Sequence, residues 1–280
     1  MKKPMLSWIP VRLIKDVMYD KTLTTEQWLH AAKNKFNLDY VEIHFGFLRN
    51  YEESYVKHIA VELEKNALKV SQLTTTTDFT HPDPDERKRQ HNNLKRAIVA
   101  ASKIEAPAIR FVTGQAHPDV SVEEGIDWII DGLEEMVSFA EPYGIQIRLE
   151  NHWRDRSVWE LPDFALKFEV FYKIYERIKD TPIMINFDCS NALMCDENPV
   201  DILKGVIDKV VSIHASDRKR DSAQHSVIGE GDVPYEEIFK ILSQSGFCGY
   251  ISAEDGNPEG DEGFSRSLKF LREKIAEYWE

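Results

Sequence analysis

The chain is poor in cysteine, with only Cys189, Cys195 and Cys248 among its 280 residues. An odd number without a Cys-x-x-Cys pair argues against a disulfide framework and fits a reducing cytosol better. Long apolar runs are also missing, because Pro4 and Pro10 interrupt the N-terminal segment before it reaches the length of a signal peptide, and no window approaches a membrane span. We therefore expect a cytoplasmic protein that does not contact a membrane.

Positive charge is scarce as well. The 35 Lys and Arg residues are outnumbered by 48 Asp and Glu residues, which gives a formal net charge of −13. Such a field repels nucleic acid and anionic lipid, so a general polyanion binder is disfavoured. No Pro-, Gly- or Ser-rich linker and no low-complexity segment divides the chain. We expect residues 1–280 to form one domain with an ordinary apolar core.

Short apolar or β-branched runs recur along the chain, and helical patterns fill most of the gaps between them. The runs are "LSWIP" (6–10), "YVEIHF" (40–45), "KVSQLTT" (69–75), "AIRFVTG" (108–114), "IQIRLEN" (145–151), "PIMINFD" (182–188), "VVSIHAS" (210–216) and "YISAED" (250–255). Helix starts are indicated by Thr24 with Gln27, by Asp83 before a proline, by Ser121 with Glu124, and by Pro234. Eight strands alternating with helices predict a single (β/α)₈ TIM barrel, with a doubly wound open sheet as the alternative.

Polar residues stand at the ends of the last four predicted strands: Glu150, Asp188, His214 and Glu254. Each separation, 38, 26 and 40 residues, spans one strand-helix unit, so the four side chains are expected at the same mouth of a barrel. Three carboxylates and an imidazole would repel each other there unless a cation lies among them. Taken singly, each residue fits a loop ion pair or a packing histidine, but together they predict one divalent metal ion. The donor set favours Mn²⁺, with Mg²⁺, Co²⁺ or Zn²⁺ as alternatives.

Four stretches of the chain resemble the sugar phosphate isomerase/epimerase family, the xylose isomerase-like barrels, from the second strand onward. They are "LEN" (149–151), "FDCSN" (187–191), "SIHASD" (212–217) and "IGEGDVPYEEIFKILSQSGFCGYISAE" (228–254). The resemblance implies that Glu150, Asp188, His214 and Glu254 bind one divalent ion. The chain departs from the family at Asn191, where many members have histidine, and at Ser216, where members commonly have lysine before the aspartate.

The predicted ligands also predict a reaction. Glu150 and Glu254 are expected to be catalytic, one removing a proton from a sugar carbon next to a carbonyl and the other returning a proton to it. The function expected is a metal-dependent isomerase or epimerase of a sugar, keto-sugar or sugar acid or phosphate. A lyase or dehydratase of an inositol or keto-sugar needs the same first step, and a non-catalytic sugar-binding barrel is a third reading. An apurinic endonuclease is disfavoured by Asn191 and by the acidic charge.

Basic residues follow two of the same strands and point to the substrate. Arg154 and Arg156 follow the fifth strand, and Arg218, Lys219 and Arg220 follow the seventh. Such a cluster suits a carboxylated or phosphorylated sugar, with Arg218 as the preferred contact. The alternative is that these are loop charges paired with Asp155, Asp217 and Asp221. Arg110, within the fourth strand, could join the cluster or point elsewhere.

Further polar and aromatic residues lie beside the predicted ligands. His44, His152 and Trp153 are candidates for substrate binding, although packing is the alternative for each of them. Asn151 and Asn191 are expected to orient the neighbouring carboxylates by hydrogen bonding. The predicted partner is a small sugar-derived molecule, without nucleic acid or membrane. The terminal Tyr278 and Trp279 could cover the barrel or contact a second copy of the chain.

Overall fold

The computed structural model describes residues 2–154, 158–220 and 222–280. Within them the chain forms eight strands and eight α-helices in alternation. The strands are β1 Met5–Ile9, β2 Tyr40–His44, β3 Lys69–Thr74, β4 Ala108–Phe111, β5 Gln146–Glu150, β6 Met184–Asp188, β7 Val210–Ala215 and β8 Tyr250–Glu254. The helices are α1 Thr25–Asn34, α2 Glu53–Lys65, α3 Pro84–Lys103, α4 Val122–Ala140, α5 Phe168–Ile178, α6 Pro199–Val206, α7 Tyr235–Gln244 and α8 Gly260–Tyr278. Every predicted strand is present.

The eight strands form one parallel sheet in the order β1-β8-β7-β6-β5-β4-β3-β2. β1 and β2 lie next to each other and nearly close the sheet into a barrel. Ser7 and Ser71 share a hydrogen bond of 2.7 Å across the barrel interior near this seam. The predicted (β/α)₈ barrel is therefore confirmed, and the doubly wound open sheet is wrong.

A β-bulge between β2 and β3 shapes the barrel interior. Val41 pairs with Val70 and Ile43 pairs with Leu73, so two residues of β3 face the single residue Glu42. The outward residues of β2, Val41 and Ile43, are fully buried against the helices. Glu42 lies between them on the strand and faces the barrel interior, because successive side chains of a strand point to opposite faces.

The helices begin where their capping residues predict. Thr24 with Gln27 and Ser121 with Glu124 each form a reciprocal capping box, and Asp83 caps α3 before its first-turn proline. α7 is followed by Gly246 with φ +78°, a left-handed conformation that glycine adopts without strain. The helix caps predicted from the sequence are therefore found at the helix starts of the barrel.

The apolar core lies between the sheet and the helices rather than inside the barrel. At the β1 side, Trp8 stacks on Phe264 with ring centroids 4.5 Å apart and meets Trp28 and Phe36 edge to face. Trp279 is fully buried and its indole N–H donates to the carbonyl of Phe247 at 2.7 Å, so this ring packs on its own chain and not on a second copy. No helix in the described part of the chain is long and apolar enough to cross a membrane.

Candidate metal centre and active site

The four polar residues predicted at the strand ends meet at the C-terminal mouth of the barrel. One donor atom from each of Glu150, Asp188 and His214 lies within 4.8 Å of the others, and all three residues are buried. His214 Nδ1 is 3.2 Å from Glu150 Oε2 and 3.5 Å from Glu254 Oε2. The cluster therefore contains three carboxylates and one imidazole in a space that a single ion could share.

Strand register places these residues in one layer. β5, β6 and β8 end at Glu150, Asp188 and Glu254, and His214 is the penultimate residue of β7. Asp188 pairs directly with His214 across the sheet. In a parallel barrel all carboxyl ends of the strands open at the same face, so residues far apart in the chain converge there.

The buried polar atoms of the cluster fit a divalent cation. His214 Nδ1 and Glu254 Oε2 are buried and make no hydrogen bond within the described residues, which is costly unless another partner is bound. Burial and the neighbouring Asp188 raise the pKa of Glu254 well above its usual value. A cation would relieve this repulsion, and a donor set of carboxylate oxygens and one imidazole nitrogen suits Mn²⁺ and similar ions.

Charge in the barrel interior leads to the same inference. Four carboxylates lie in or against the cluster, three of them buried and that of Glu254 partly exposed, and two buried guanidiniums lie among them. The carboxylates belong to Glu42, Glu150, Asp188 and Glu254, and the guanidiniums to Arg110 and Arg148. With His214 neutral, as a metal ligand must be, two negative charges remain, which equals the charge of one divalent ion.

Glu42 fixes the orientation of His214 from the opposite side of the barrel. Glu42 Oε1 is 2.8 Å from His214 Nε2 and also accepts hydrogen bonds from Thr74 Oγ1 and from Gln72 Nε2. Burial acts to raise the pKa of Glu42, but His214 and the hydroxyl donors outweigh it and lower this pKa to about 2. An ionised Glu42 favours the tautomer with the proton on Nε2, which leaves the Nδ1 lone pair directed at the cluster.

Glu150 is held by two residues of the neighbouring strands. Its Oε2 is 3.0 Å from Arg110 Nε and accepts a hydrogen bond of 2.9 Å from Asn186 Nδ2. Burial acts to raise the pKa of Glu150, but Arg110 and His214 lower it to about 2. Arg110, whose direction the sequence left open, therefore points into the barrel.

Asp188 is surrounded by hydrogen-bond donors. Its Oδ1 accepts from the backbone N–H groups of Ser190 and Asn191 at 2.8 and 2.6 Å, and its Oδ2 accepts from Ser216 Oγ at 2.8 Å. Asn151 exchanges two hydrogen bonds with the backbone of Asp188, and the Asn191 amide donates to the Asn151 carbonyl. The side chains of both asparagines thus contact backbone at the ends of β5 and β6, and Asn191 contacts the Asp188 carboxylate through its backbone N–H.

A cavity of about 380 Å³ opens above the cluster. All five residues predicted to bind substrate line it, together with Glu254 from the cluster. Among the described residues, the lining consists of Ile9, Val11, Ile14, Lys15, Tyr19, His44, Arg110, His152, Trp153, Arg154, Asn191, Arg218, Ala223, His225 and Glu254. Glu150, Asp188 and His214 lie deeper, so Glu254 is the member of the cluster that a bound molecule meets first.

The basic residues after β5 and β7 divide into two groups. Arg154 and Arg218 line the cavity, where Arg154 donates to the carbonyl of Trp159 at 3.2 Å. Lys219 and Arg220 are half-exposed, and they form ion pairs with Asp232 and Asp196 respectively. These two residues are therefore loop charges, although their partners differ from the predicted aspartates. Arg156, Asp155 and Asp221 lie outside the described residues.

Three histidines line the described part of the cavity wall, and two of them, His44 and His152, are held by their own loops. His44 Nδ1 accepts the backbone N–H of Gly46 at 3.2 Å. His152 Nδ1 is 3.3 Å from Asp163 Oδ2, and Asp163 in turn accepts from Thr113 Oγ1 at 2.6 Å. Asp163 and His225 were not among the predicted site residues, because they lie in the loops rather than at the strand ends.

The loop after β7 folds around Asp217. Its carboxylate accepts backbone N–H groups of Arg218, Gly229, Gly231 and Val233 at 2.9 to 3.2 Å. A Cβ atom at Gly231 would fall 1.9 Å from Asp217 Oδ1, so only glycine fits there. The Gly-Glu-Gly-Asp turn of the sequence is therefore built on one buried carboxylate.

A parallel eight-stranded barrel with clustered carboxylates and an imidazole at its C-terminal mouth defines a TIM-barrel protein with a candidate metal centre. The chain can be placed more narrowly. Residues 30–274 match the family described as xylose isomerase-like TIM barrel, and the chain belongs to this family. The resemblance inferred from the sequence is thereby confirmed.

Characterised and uncharacterised relatives match at low identity. The uncharacterized protein MJ1311 of Methanocaldococcus jannaschii is 31% identical over 163 residues, which cover 56% of this chain and only 54% of that protein. The inosose isomerase of Halalkalibacterium halodurans is 22% identical over 241 residues and 82% of each chain. Proteins of Clostridium species named inosose dehydratase match at 19–22% identity.

Solved structures show the same fold. A D-tagatose 3-epimerase-like protein superposes with a TM-score of 0.79 at 21% identity and covers 97% of both chains. The IOLI protein, whose crystal structure contains a zinc atom, superposes with a TM-score of 0.77 at 17% identity, covering 98% of this chain and 99% of that one.

Proposed function

We propose that this chain is a divalent-metal-dependent isomerase or epimerase of a sugar, keto-sugar or sugar acid or phosphate. The observation that carries the proposal is the convergence of Glu150, Asp188 and His214 within 4.8 Å, with Glu254 beside them at the floor of a cavity. Relatives named inosose isomerase and structures named epimerase-like support the same class. Mn²⁺ is the proposed ion, and the cytoplasm is the proposed location.

Glu150, Asp188, His214 and Glu254 would hold the ion. A divalent cation supplies Lewis acidity, which polarises a carbonyl and makes the neighbouring C–H more acidic. The chain's own residues then bind and orient the substrate and move its protons. His44, His152 and Trp153 form the polar and apolar wall against which a sugar-like molecule would lie.

The two glutamates are proposed to move the protons, and their positions differ. Glu254 borders the cavity, with 18% of its side chain exposed, and is the proposed group that removes the proton. Glu150 is 2% exposed and tied to Arg110 and Asn186, so it is the proposed group that returns a proton from the deeper side. A positioned acid or base of this kind contributes about 10²- to 10⁴-fold to the rate.

The test is incubation of the Mn²⁺-loaded protein with a panel of keto-sugars in deuterated water. Isomerisation or epimerisation through a removed proton places one solvent deuteron on carbon without loss of water. Glu254→Gln should lower this incorporation at least about 100-fold while metal content is checked separately. Glu262→Gln, an exposed change in α8, serves as the matched control and should leave the rate unaltered.

Full incorporation by both Glu254→Gln and Glu150→Gln, with the metal retained, would refute the two-glutamate scheme. Elimination is the second candidate function, because relatives named inosose dehydratase belong to the same set. It needs the same proton removal but gives a dehydrated, absorbing product. A barrel that only binds sugar would show neither product.

A further inference from the structure

The cavity above the cluster is basic in a protein that is strongly acidic. The chain carries a formal charge of −13. Nevertheless, the described residues of the cavity lining include Lys15, Arg110, Arg154 and Arg218, with Glu254 as the carboxylate among them. Arg110 is paired with Glu150 deeper in the barrel, so the cations of the outer wall are the other three. A wall of this charge raises the local concentration of anions.

Arg218 is held in a fixed position within this wall. The residue is only 2% exposed, its Nε donates to Ser190 Oγ at 2.9 Å, and its Nη2 lies 2.9 Å from His225 Nε2. The guanidinium carbon lies 5.4 Å from the centre of the Trp153 ring. A guanidinium that is already oriented loses little conformational entropy when an oxyanion binds it.

Hydrogen bonds connect this guanidinium to the candidate metal ligands and limit its distance from them. Ser190 Oγ lies 2.6 Å from Ser216 Oγ, which donates to Asp188 Oδ2 at 2.8 Å. Arg218 Nε is therefore at most about 8 Å from Asp188 Oδ2, since hydrogen-bonded neighbours are each under 3 Å apart. An extended chain of four to six carbon atoms spans about 4–6 Å, so a molecule with one end at the cluster can reach Arg218 with the other.

We propose that the substrate carries an oxyanion, a carboxylate or a phosphate, at the end remote from the reacting carbon, and that Arg218 binds it beside Trp153. Arg154 and Lys15 add positive charge at the same wall, and His225 is a positioning residue that orients the guanidinium. The inference rests on the proposed function for the reacting end of the molecule. Recognition of the remote end makes Arg218 the residue that determines specificity.

Calorimetric titration of the Mn²⁺-loaded protein with three matched four-carbon probes tests this. The probes are D-erythronate, erythritol 4-phosphate and neutral erythritol. At least one of the two anions should bind about 10- to 100-fold more tightly than erythritol, as expected for hydrogen bonds to a charged group. The anion that binds more tightly identifies the group as carboxylate or phosphate.

Arg218→Gln should remove most of this preference while the rise in Tm caused by Mn²⁺ is retained. Arg220→Gln is the matched control, because Arg220 is two positions away, half-exposed and paired with Asp196 outside the cavity. His225→Phe should weaken the preference through the lost contact to the guanidinium without changing erythritol binding. Should Arg218→Gln fail to fold, the salt dependence in the unaltered protein decides: anion binding must weaken with added NaCl and erythritol binding must not.

Equal affinity for the anions and erythritol, no binding of either anion, or an unchanged preference in Arg218→Gln would overturn the inference. These outcomes are separable from the proposed function. Arg218-dependent anion binding without any turnover of keto-sugars would refute the isomerase and leave this inference standing. Turnover of neutral keto-sugars with no preference for anions would refute this inference and leave the proposed isomerase standing.

Discussion

The two halves of the barrel contribute differently to the candidate site. Strands β5 to β8 supply the four residues of the cluster, each at or next to the strand end. Strands β2 to β4 supply residues that contact the cluster from the side: Glu42 contacts His214, and Arg110 contacts Glu150. One half therefore provides the candidate ligands and the other half sets their charge and direction.

The largest effect is expected in the second half of the barrel. His214→Asn or Asp188→Asn should abolish turnover, by about 10³-fold or more, because the ion loses a ligand in the middle of the cluster. With Mn²⁺ at about 100 times its Kd, the unaltered protein should gain roughly 5 °C in Tm, and both variants should lose this gain. Thermal melts with and without Mn²⁺ measure the difference.

Asp201→Asn, an exposed change on α6, is the control for these two variants and should keep the full metal-induced shift. A His214→Asn variant that keeps both the Tm shift and the turnover would show that His214 does not bind the ion, and would contradict the role proposed for strands β5 to β8.

A smaller effect is expected in the first half. Glu42→Gln should weaken Mn²⁺ binding about 10- to 100-fold, because the amide no longer fixes the His214 tautomer, while the four candidate ligands remain. The measurement is a competition titration for Mn²⁺, with the exposed Glu64→Gln of α2 as control. A loss as complete as that of His214→Asn would mean that Glu42 is itself a ligand, and the two halves would no longer differ in kind.

The pH dependence of metal binding probes the contacts between the halves. Burial lowers the pKa of His214, but Glu150 and Glu42 raise it well above its usual value, and burial with Asp188 raises that of Glu254. A raised pKa keeps a group protonated to higher pH, so Mn²⁺ has to compete with protons at these two groups in the metal-free protein.

Mn²⁺ affinity should consequently rise with pH, by up to about tenfold per unit for each proton released. Titrations at pH 6, 7 and 8 in two buffers of different ionisation enthalpy count the protons. Affinity that is constant across this range, with no proton release, would show that the contacts to Glu42 and Glu150 do not control His214.

The smallest effect is expected at Cys195, which follows β6 in the second half and whose Sγ donates to the carbonyl of Leu166 at 3.5 Å. Burial raises the pKa of its thiol to about 11, so only about one molecule in 10⁴ carries the thiolate at pH 7. Cys195→Ser should leave turnover within about twofold, and iodoacetamide should modify this thiol slowly, as followed by mass spectrometry. Rapid modification that inactivates the protein would show that the segment after β6 takes part in turnover through Cys195.

The sequence predicted the second half of the barrel well because its chemistry sits at strand ends. Glu150, Asp188 and Glu254 each close an apolar run, and the carboxyl ends of parallel strands share one face, so their convergence follows from the fold. The strands and the capped helix starts were predictable for the same reason, since each depends on neighbours within a few residues.

The first half was harder to predict because its contacts are long-range. Glu42 meets His214 across 172 residues of sequence, and its place opposite Ser71 and Gln72 depends on a bulge that no local pattern indicates. A buried glutamate within a strand looks like any polar residue until the opposite wall of the barrel is in place. The prediction that residues 1–280 form a single domain stays a prediction.

Asp217 and the turn that folds around it have a consequence for how relatives are recognised. In the stretch that carries the clearest resemblance to the family, the carboxylate of Asp217 accepts four backbone N–H groups, and Gly231 leaves the room that this carboxylate occupies. A turn that supports a loop in this way constrains the fold and not the identity of the substrate. Two chains that share this turn are therefore expected to share the loop that it builds, whereas their substrates need not be the same.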